Sequence, residues 1–559
     1  MRGFAIKAEG AAAATLQFAG VFAAFAVLTC LFFWPWMDHL STSLIGPPED
    51  NMQDFWNSWY AVVASDPSHF FYTKLIRFPE GTGLLYHSFF YPQIFVLVPL
   101  TKLLGTDRAT LILLQNLTML LSFPLAGTGA FYLVRHFVKA NAAALVGGFV
   151  FAFNPSHVAH AMHHIGVSSI GFMPFFAFAY LKALERKSVP WLCAACVFYA
   201  LSALSSWYNV FYVAYFIVFH AIYLGVRDNL RPRGWKLIAP LACMGGALLL
   251  LSPLVIPMIL QSGSSNLFFD GTNVYVADLA GYFTFPVTHP LAPWGYNTVS
   301  LFRAGPLEGA VYLGLVNLAL LLWLGLRARR EKDPVLTYVL CGMAVFCVLA
   351  SGSTLQAFGA SFIPMPDLLL DKFPFFSQVR TPSRAIVMVY MFLSIGVGHA
   401  LTLAWKQPGG TWVRGAVCAA VFLLLLDFYP AHLAMTDATC PRGLDVIAQD
   451  SEHGFGVLNL PSGYIEDEAA MFQQTCHGRP IVKGVVSRLM NQSLVDSLII
   501  DDLADQRAQL IGAHVKYIVL SAETNGLFVW KDEYGPKSLY ASTYRTVYRD
   551  QQLTILRVY

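Results

Sequence analysis

The sequence predicts a mainly α, polytopic helical membrane bundle followed by a small C-terminal extracytoplasmic α/β domain. Three observations carry that reading. The chain has 559 residues, is 56% hydrophobic and only 12% charged, about half the charge of a soluble protein, and its mean hydropathy is +0.54. Apolar runs of near-spanning length recur from Leu16 to Phe428, and only helices and closed barrels satisfy the backbone in lipid. Beyond Pro430 the pattern turns polar and short-period. The expected domains are therefore 1–430 and 431–559. A net charge of +3 is small for this length and gives no nucleic-acid footprint.

Leu16 to Trp36 is long enough to span. Met1 to Glu9 is short, weakly basic and lacks a small-residue cleavage site, so the segment reads as a signal anchor with a cytoplasmic N-terminus. It leads to a first external loop, about 37–108, broken by Pro67, Pro79, Gly81, Gly83 and Pro92. Phe89 to Leu104 reads as an interfacial helix, because a span there would put Arg135, His136 and Lys139 outside. Further spans follow at Ala109–Val134, Ala142–Phe153, Ser168–Leu184, Trp191–Leu204, Val210–Val226 and Leu237–Leu260. Arg186, Lys187, Arg227, Arg231, Arg233 and Lys236 mark the inner ends. A long external loop, 261–308, precedes Ala310–Leu326, which closes on Arg327, Arg329, Arg330 and Lys332. Leu336–Ala350, a Pro- and Phe-rich loop through Arg380, Ala385–Leu403 and Val413–Phe428 complete the bundle. About eleven spans put the C-terminus outside, with every basic cluster that follows a span inside.

In the C-terminal domain, Val457–Pro461, Pro480–Gly484 and Val515–Leu520 read as strands and Leu494–Leu510 as a helix. Thr546–Arg549 and Leu553–Leu556 flank a polar turn and read as a hairpin. Seven cysteines lie in apolar segments, where they act as small hydrophobes, and only Cys440 and Cys476 lie in the external domain. A bridge between them would close a loop worth about 3 kcal/mol of chain entropy, but spacing alone does not decide whether they meet. Cys193 and Cys196 form a C-x-x-C inside a span and read as packing.

The chemistry concentrates at the first external loop. Glu49, Asp50 and Asp54 place three carboxylates beside Trp56, Trp59 and Tyr60. Aromatic rings there suit the headgroup level or a sugar face. The alternative is an acidic, helix-capping loop with an aromatic belt. His157, His160, His163 and His164 form a second cluster, with 157, 160 and 164 on one helical face. Zinc with Asp50 or Glu49 as a further ligand is one reading, and imidazoles bonding phosphate, sugar or water is the preferred one. Arg380 and Arg384 precede a span at headgroup depth, where guanidinium forks suit a phosphate. An ion pair with Asp367 or Asp371 is the competing reading. Asp278, His289 and Glu308 lie in the long loop 261–308 and read as a flap or as loop solvation.

Together these features resemble the GT-C class of membrane glycosyltransferases, and within it the YfhO-like and related bacterial members. The carrying motifs are Gly46, Asp50 and Trp56, then Asn154-Pro155 with Ala159-His160 and His163. Asp278-Leu279, Tyr282, Pro286 and His289-Pro290 follow, then Glu308 with Tyr312-Leu313-Gly314, then Arg380, Pro382 and Arg384. Pro47 departs from the pattern, where such loops often carry Gly-Asp. The resemblance implies an inverting transfer of sugar from a polyprenyl-phosphate donor to a glycan, lipid or protein acceptor at the extracytoplasmic face. It implies Asp50 as base, supported by Glu49 or Asp54, and Arg380, Arg384, His160 and His163 at the donor phosphate. Trp207, Tyr208, His289, Glu308, His157 and His164 would line the sugar or acceptor pocket. The scheme requires no cofactor and no metal, and a divalent ion is not favoured. The expected location is the bacterial inner membrane. Two rival classes are a transporter or flippase of lipid-linked sugars, which should show broken helices and repeats, and a non-catalytic scaffold presenting the C-terminal domain.

Overall fold

A computed structural model of the protein describes residues 2–227, 234–261, 275–328, 333–370, 372, 379–488, 493–522 and 530–559. Arg231, Arg233, Arg329, Arg330, Lys332 and Asp371 lie outside the described residues. The chain opens with α1 (Arg2–Phe32), strand β1 (Ser43–Ile45), the short polar helix α2 (Asp50–Trp59) and α3 (Tyr91–Leu104). The bundle continues through α4 (Arg108–Val138), α5 (Asn141–Ala152), α6 (Pro155–His163), α7 (Phe172–Arg186), α8 (Val189–Ser205), α9 (Tyr208–Arg227) and α10 (Trp235–Gln261). After the long loop come α11 (Leu315–Ala328), α12 (Pro334–Ala350), α13 (Ile386–Trp405) and α14 (Gly410–Asp427).

Each of the expected spans is therefore helical. Among the described residues, seven helical segments are long and apolar enough to cross a membrane, and the pair α5–α6, bent by 44°, reaches that length only when its two helices are taken together. The break falls at Asn154-Pro155. Proline suits the first turn of a new helix but disfavours continuation of the old one, and the Asn154 side chain caps α6 at the His157 N–H. Helices α8, α11 and α12 are shorter apolar segments. The bundle core is continuous and rich in rings, among them Phe25, Phe123, Phe153, Tyr180, Tyr312 and Tyr390.

Past the bundle, β2 (Met435–Asp437) pairs antiparallel with β1. Then come β3 (Gly456–Leu460), α15 (Tyr464–His477), β4 (Val515–Ser521), β5 (Arg545–Arg549) and β6 (Leu553–Arg557). The sheet order is β3-β4-β6-β5, with β3 and β4 parallel and the other pairs antiparallel. The period-2 alternation of strands divides its residues between two cores. Val457, Val519 and Ile555 face a cluster that includes Phe55, Trp56, Trp59, Tyr60 and Phe472. Leu458, Ile518, Leu520 and Leu556 face another with Leu510 and Tyr540. The first loop and the C-terminal region thus share one core, in which each fully buried large apolar side chain contributes about 1.5–3 kcal/mol.

Three sequence expectations change here. Pro480–Gly484 makes only an isolated bridge, Ile481 to Val457, rather than a strand. Leu494–Leu510 is not one helix. A 3₁₀ turn at Leu494–Ser497 is closed by a Ser493–Asp496 capping box, and a new helix starts at Leu503 because Asp502 accepts the N–H groups of Ala504 and Asp505. Trp56, Trp59 and Tyr60 are not an interfacial belt. They are buried, Trp56 stacks on Tyr60, and its indole N–H donates to Gln474 of α15 at 2.7 Å. Cys440 and Cys476 are joined by a disulfide, with Cα atoms 5.8 Å apart. The bridge ties the end of α15 to the segment after β2.

Candidate functional site

The site forms where α2 meets the end of α6. Gly46 makes the approach possible. Its φ is +105°, and a Cβ there would stand 1.8 Å from the carbonyl oxygen of Met162, so only glycine fits both the conformation and the space. Four residues on, the acidic face of α2 docks on the turn that ends α6. Glu49 Oε2 meets His163 Nδ1 at 2.8 Å, Asp50 Oδ2 meets His164 Nε2 at 2.5 Å, and Asp54 Oδ2 accepts the Ile165 N–H at 3.0 Å. Asp50 and Asp54 share a face because they are one turn apart. The helix ends at His163, and His164, with φ −133° and ψ 89°, leaves the helical face expected to carry it.

The three carboxylates have different electrostatics. Burial pushes Asp50 up, but the bond and charge of His164, with Glu468 and Tyr464 as further donors, outweigh it and hold the group below the ordinary carboxylate range. The His163 hydrogen bond lowers Glu49, which is half-buried. Asp54 goes the other way. Its burial dominates and pushes it up to about 8, leaving it a neutral acid at pH 7. It borders a small cavity behind α2 with Asn51, Gln115, Asn116 and His163 among its lining residues.

A second network adjoins the first. The His160 and His164 rings are 5.6 Å apart, and His160 Nε2 lies 3.6 Å from Glu308 Oε2. Glu308 is buried and accepts both Nε (2.9 Å) and Nη2 of Arg384, whose guanidinium lies 4.8 Å over the Tyr208 ring. Burial opposes charge on Glu308, but Arg384 and then His160 overrule it and hold the carboxyl down to about 2. His160, Tyr208, Asn209, Tyr212 and Arg384 line a cavity in the bundle.

His160, His164 and Glu308 offer atoms within 4.8 Å of one another, a spacing that a metal could use. They do not fit one as arranged. A guanidinium already sits on the Glu308 carboxylate, and a second cation beside it would be repelled rather than held.

The sequence-predicted residues divide into three groups. Glu49, Asp50, Asp54, His160, His163, His164, Glu308, Arg384 and Tyr208 form the connected site. Arg384 pairs with Glu308, not with Asp367. Arg380 is exposed next to the site, near enough to Tyr464 and Arg488 to perturb both. His157 is buried between Ser122 and the Ala152 carbonyl, stacks on Phe123 and lines the same cavity as His160 and Arg384. The rest stand apart. His289 stacks on Phe285, 3.7 Å from Asp427. Trp207 is half-buried at the turn into α9. Asp278 accepts the N–H groups of Ala280, Phe358 and Gly359 and anchors the hairpin of Thr354–Ala357 and Ala360–Pro364.

Sequence reasoning missed the contribution of α15. Tyr464 donates its hydroxyl to Asp50 Oδ1 at 3.3 Å, and Glu468 is fully buried against the same carboxylate. Burial lowers Arg488, and Arg380 lowers it further. A signal existed for the helix itself. Glu466 and Asp467 stand in a first turn followed by Ala469, Ala470, Met471 and Phe472.

The fold is that of the GT-C membrane glycosyltransferases. The archaeal oligosaccharyltransferase AglB from Archaeoglobus fulgidus, solved with an inhibitory peptide and a dolichol-phosphate, superposes with a TM-score of 0.53 at 10% identity over 92% of this chain and 71% of that one. The arabinofuranosyltransferase AftD from Mycobacteria superposes with a TM-score of 0.53 at 14% identity over 90% of this chain, which spans only 35% of AftD. The chain belongs to the family described as "Domain of unknown function (DUF6311)", whose profile matches residues 21–429. No curated protein matches it by sequence. The protein is an integral membrane protein, and the narrower YfhO-like resemblance finds no support in the family match.

Proposed function

We propose that this protein is an inverting glycosyltransferase that moves a sugar from a polyprenyl-phosphate-linked donor to an acceptor at the extracytoplasmic face of the inner membrane. The observation that carries the reading is Asp50. It is an ionised carboxylate held by His164 and Tyr464 at the meeting point of the bundle and the C-terminal region, in a fold shared with GT-C enzymes. Inversion calls for a carboxylate on the acceptor side of the anomeric carbon, opposite the departing phosphate. Asp50 takes the acceptor proton late, once the acceptor oxygen has begun to bond to carbon and has turned acidic. A weakly basic, well-oriented carboxylate suffices for that.

The leaving phosphate gathers charge and needs fixed cations. Arg380, near both Tyr464 and Arg488, and Arg488, near Tyr208, take that task in this scheme. Arg384 acts one step back. It is committed to Glu308 and, with His160 and Tyr208, shapes the cavity wall on the sugar side. His163 and His164 orient Glu49 and Asp50. His157 lines that cavity beside His160, whereas His289 packs on Phe285 and leaves the pocket role the resemblance implied. We read residues 431–559 as an extracytoplasmic domain that closes the site over Asp50. No metal or cofactor enters the scheme.

The test is transfer of radiolabelled sugar from a panel of polyprenyl-phosphate sugars by the purified full-length protein in lipid. Product from at least one donor, cut by on the order of 100-fold in Asp50→Asn, is the expected result. Binding of donors without product, together with donor movement across vesicles, would make the protein a flippase instead.

A further inference from the structure

Glu468 is a buried acid that the catalytic scheme leaves unused. It stands one helical turn beyond Tyr464 on α15, so both reach α2 from one face. Glu468 is 0% exposed, and neither of its oxygens finds an N–H or ordinary O–H donor among the described residues. Another carboxylate, Asp50, is its strongest charged neighbour, raising Glu468 more than Asp54 or Glu49 does while Glu468 lowers Asp50. Two buried carboxylates that act on each other so strongly cannot both be anions, and a single proton between them turns repulsion into a strong O–H···O⁻ bond. The neighbours decide which one carries it. Asp50 also meets His164 at 2.5 Å and Tyr464 at 3.3 Å, whereas Glu468 has no other donor. The anion therefore belongs on Asp50 and the proton on Glu468. The other groups facing the pair are Glu49 just before α2 and Asp54 on it, with Arg380 beyond Tyr464.

We propose that Glu468 is a positioning residue, a neutral carboxylic acid that donates to Asp50 and pins the reactive carboxylate from the C-terminal side. The inference rests on Asp50 being the acceptor's base. During transfer the acceptor O–H proton passes to Asp50 while its oxygen bonds to the anomeric carbon. The bond from that carbon to the phosphate oxygen breaks, and its electron pair leaves with the phosphate. Glu468 keeps its proton throughout. The pair holds one proton before the step and two after it, and the extra proton returns to water. The role also gives the C-terminal region a chemical function, since the bundle alone would leave Asp50 without two of its three donors.

The experiment uses the full-length protein and two readouts. Infrared spectra at neutral pH, recorded in an Asp54→Asn background to remove that second neutral acid, should show a carboxylic-acid carbonyl band. Glu468→Gln should abolish the band and Asp50→Asn should shift it. In transfer assays Glu468→Leu should lower kcat by on the order of 10- to 100-fold, the worth of one hydrogen bond to a charged group. Its donor KM should stay unchanged, and the acidic limb of its pH–rate profile should move to higher pH as Asp50 loses a donor. Glu468→Gln, which keeps an N–H donor, should restore most of that loss and return the limb. A protein inactive with every donor would defeat the catalytic reading and leave the infrared result to decide the proton. An acid band indifferent to Glu468→Gln would overturn the proposal whatever the activity. So would a Glu468→Leu enzyme with normal kcat and an unmoved limb.

Discussion

At the scale of single residues, the three acidic side chains of the first loop do different work although one turn of chain holds them. Asp50 is ionised and faces α15, Glu49 is half-exposed and tied to His163, and Asp54 is a neutral buried acid bonded to the Ile165 N–H. Asp50→Asn keeps the shape and removes the charge, so transfer should fall by on the order of 100-fold with donor binding little changed. Arg380→Ala should instead weaken donor binding along with turnover, and a donor titration on both variants separates the two. Asp54 makes a prediction about stability. Its ordinary value is 3.8 and its folded value is about 8. Between those values the native state keeps a proton that the unfolded chain has released, so this residue's contribution falls as pH rises from about 4 and levels off above about 8. Asp54→Asn should remove that loss. Melting curves of the two proteins should diverge steadily across the window, with the variant gaining on the wild type.

At the scale of elements, α2 is held between two partners. The close approach of Gly46 to Met162 docks it on α6, and Trp56 bonds Gln474 to dock it on α15. Gly46→Ala should separate α2 from α6 by forcing the backbone away from the Met162 carbonyl, and should abolish transfer while the bundle stays folded. Unchanged activity in that variant would remove the geometric basis of the site. The Cys440–Cys476 bridge encloses 36 positions of separation and fastens α15 at its far end. Its loss should cost about 3 kcal/mol in the chain-entropy account. A Cys440→Ser, Cys476→Ser protein should therefore show earlier proteolysis of the C-terminal region, with transfer reduced because α15 carries Tyr464 and Glu468.

At the scale of the whole molecule, the C-terminal region and the first loop form one core beside the membrane bundle, so the site needs both. The proposed topology puts that core outside the cytoplasm. A reporter fused to the C-terminus should be active only in the extracytoplasmic compartment, and one fused after Arg330 only in the cytoplasm. The opposite pattern would put the site on the wrong side for an external acceptor.

Sequence by itself determined the features that composition and period encode. The eleven apolar segments became helices because lipid admits little else, and the hairpin of β5 and β6 followed from alternation around a polar turn. It also pointed to most of the site, since Asp50, His160, His164, Glu308 and Arg384 are the polar groups that an apolar chain would otherwise avoid. Tertiary structure decided the pairings. Nothing local in the sequence marks Arg384 for a particular partner, and only the folding of the loop at Glu308 against the turn before α13 commits it to an ion pair. The Trp56 and Trp59 rings look interfacial until α15 covers them. Glu468 is the last of three consecutive acids, Glu466, Asp467 and Glu468, and becomes a neighbour of Asp50 only because a helix 414 residues after Asp50, counted to the Tyr464 contact, returns to pack on α2. Burial and partnership between distant segments set charge states, and no local pattern encodes either.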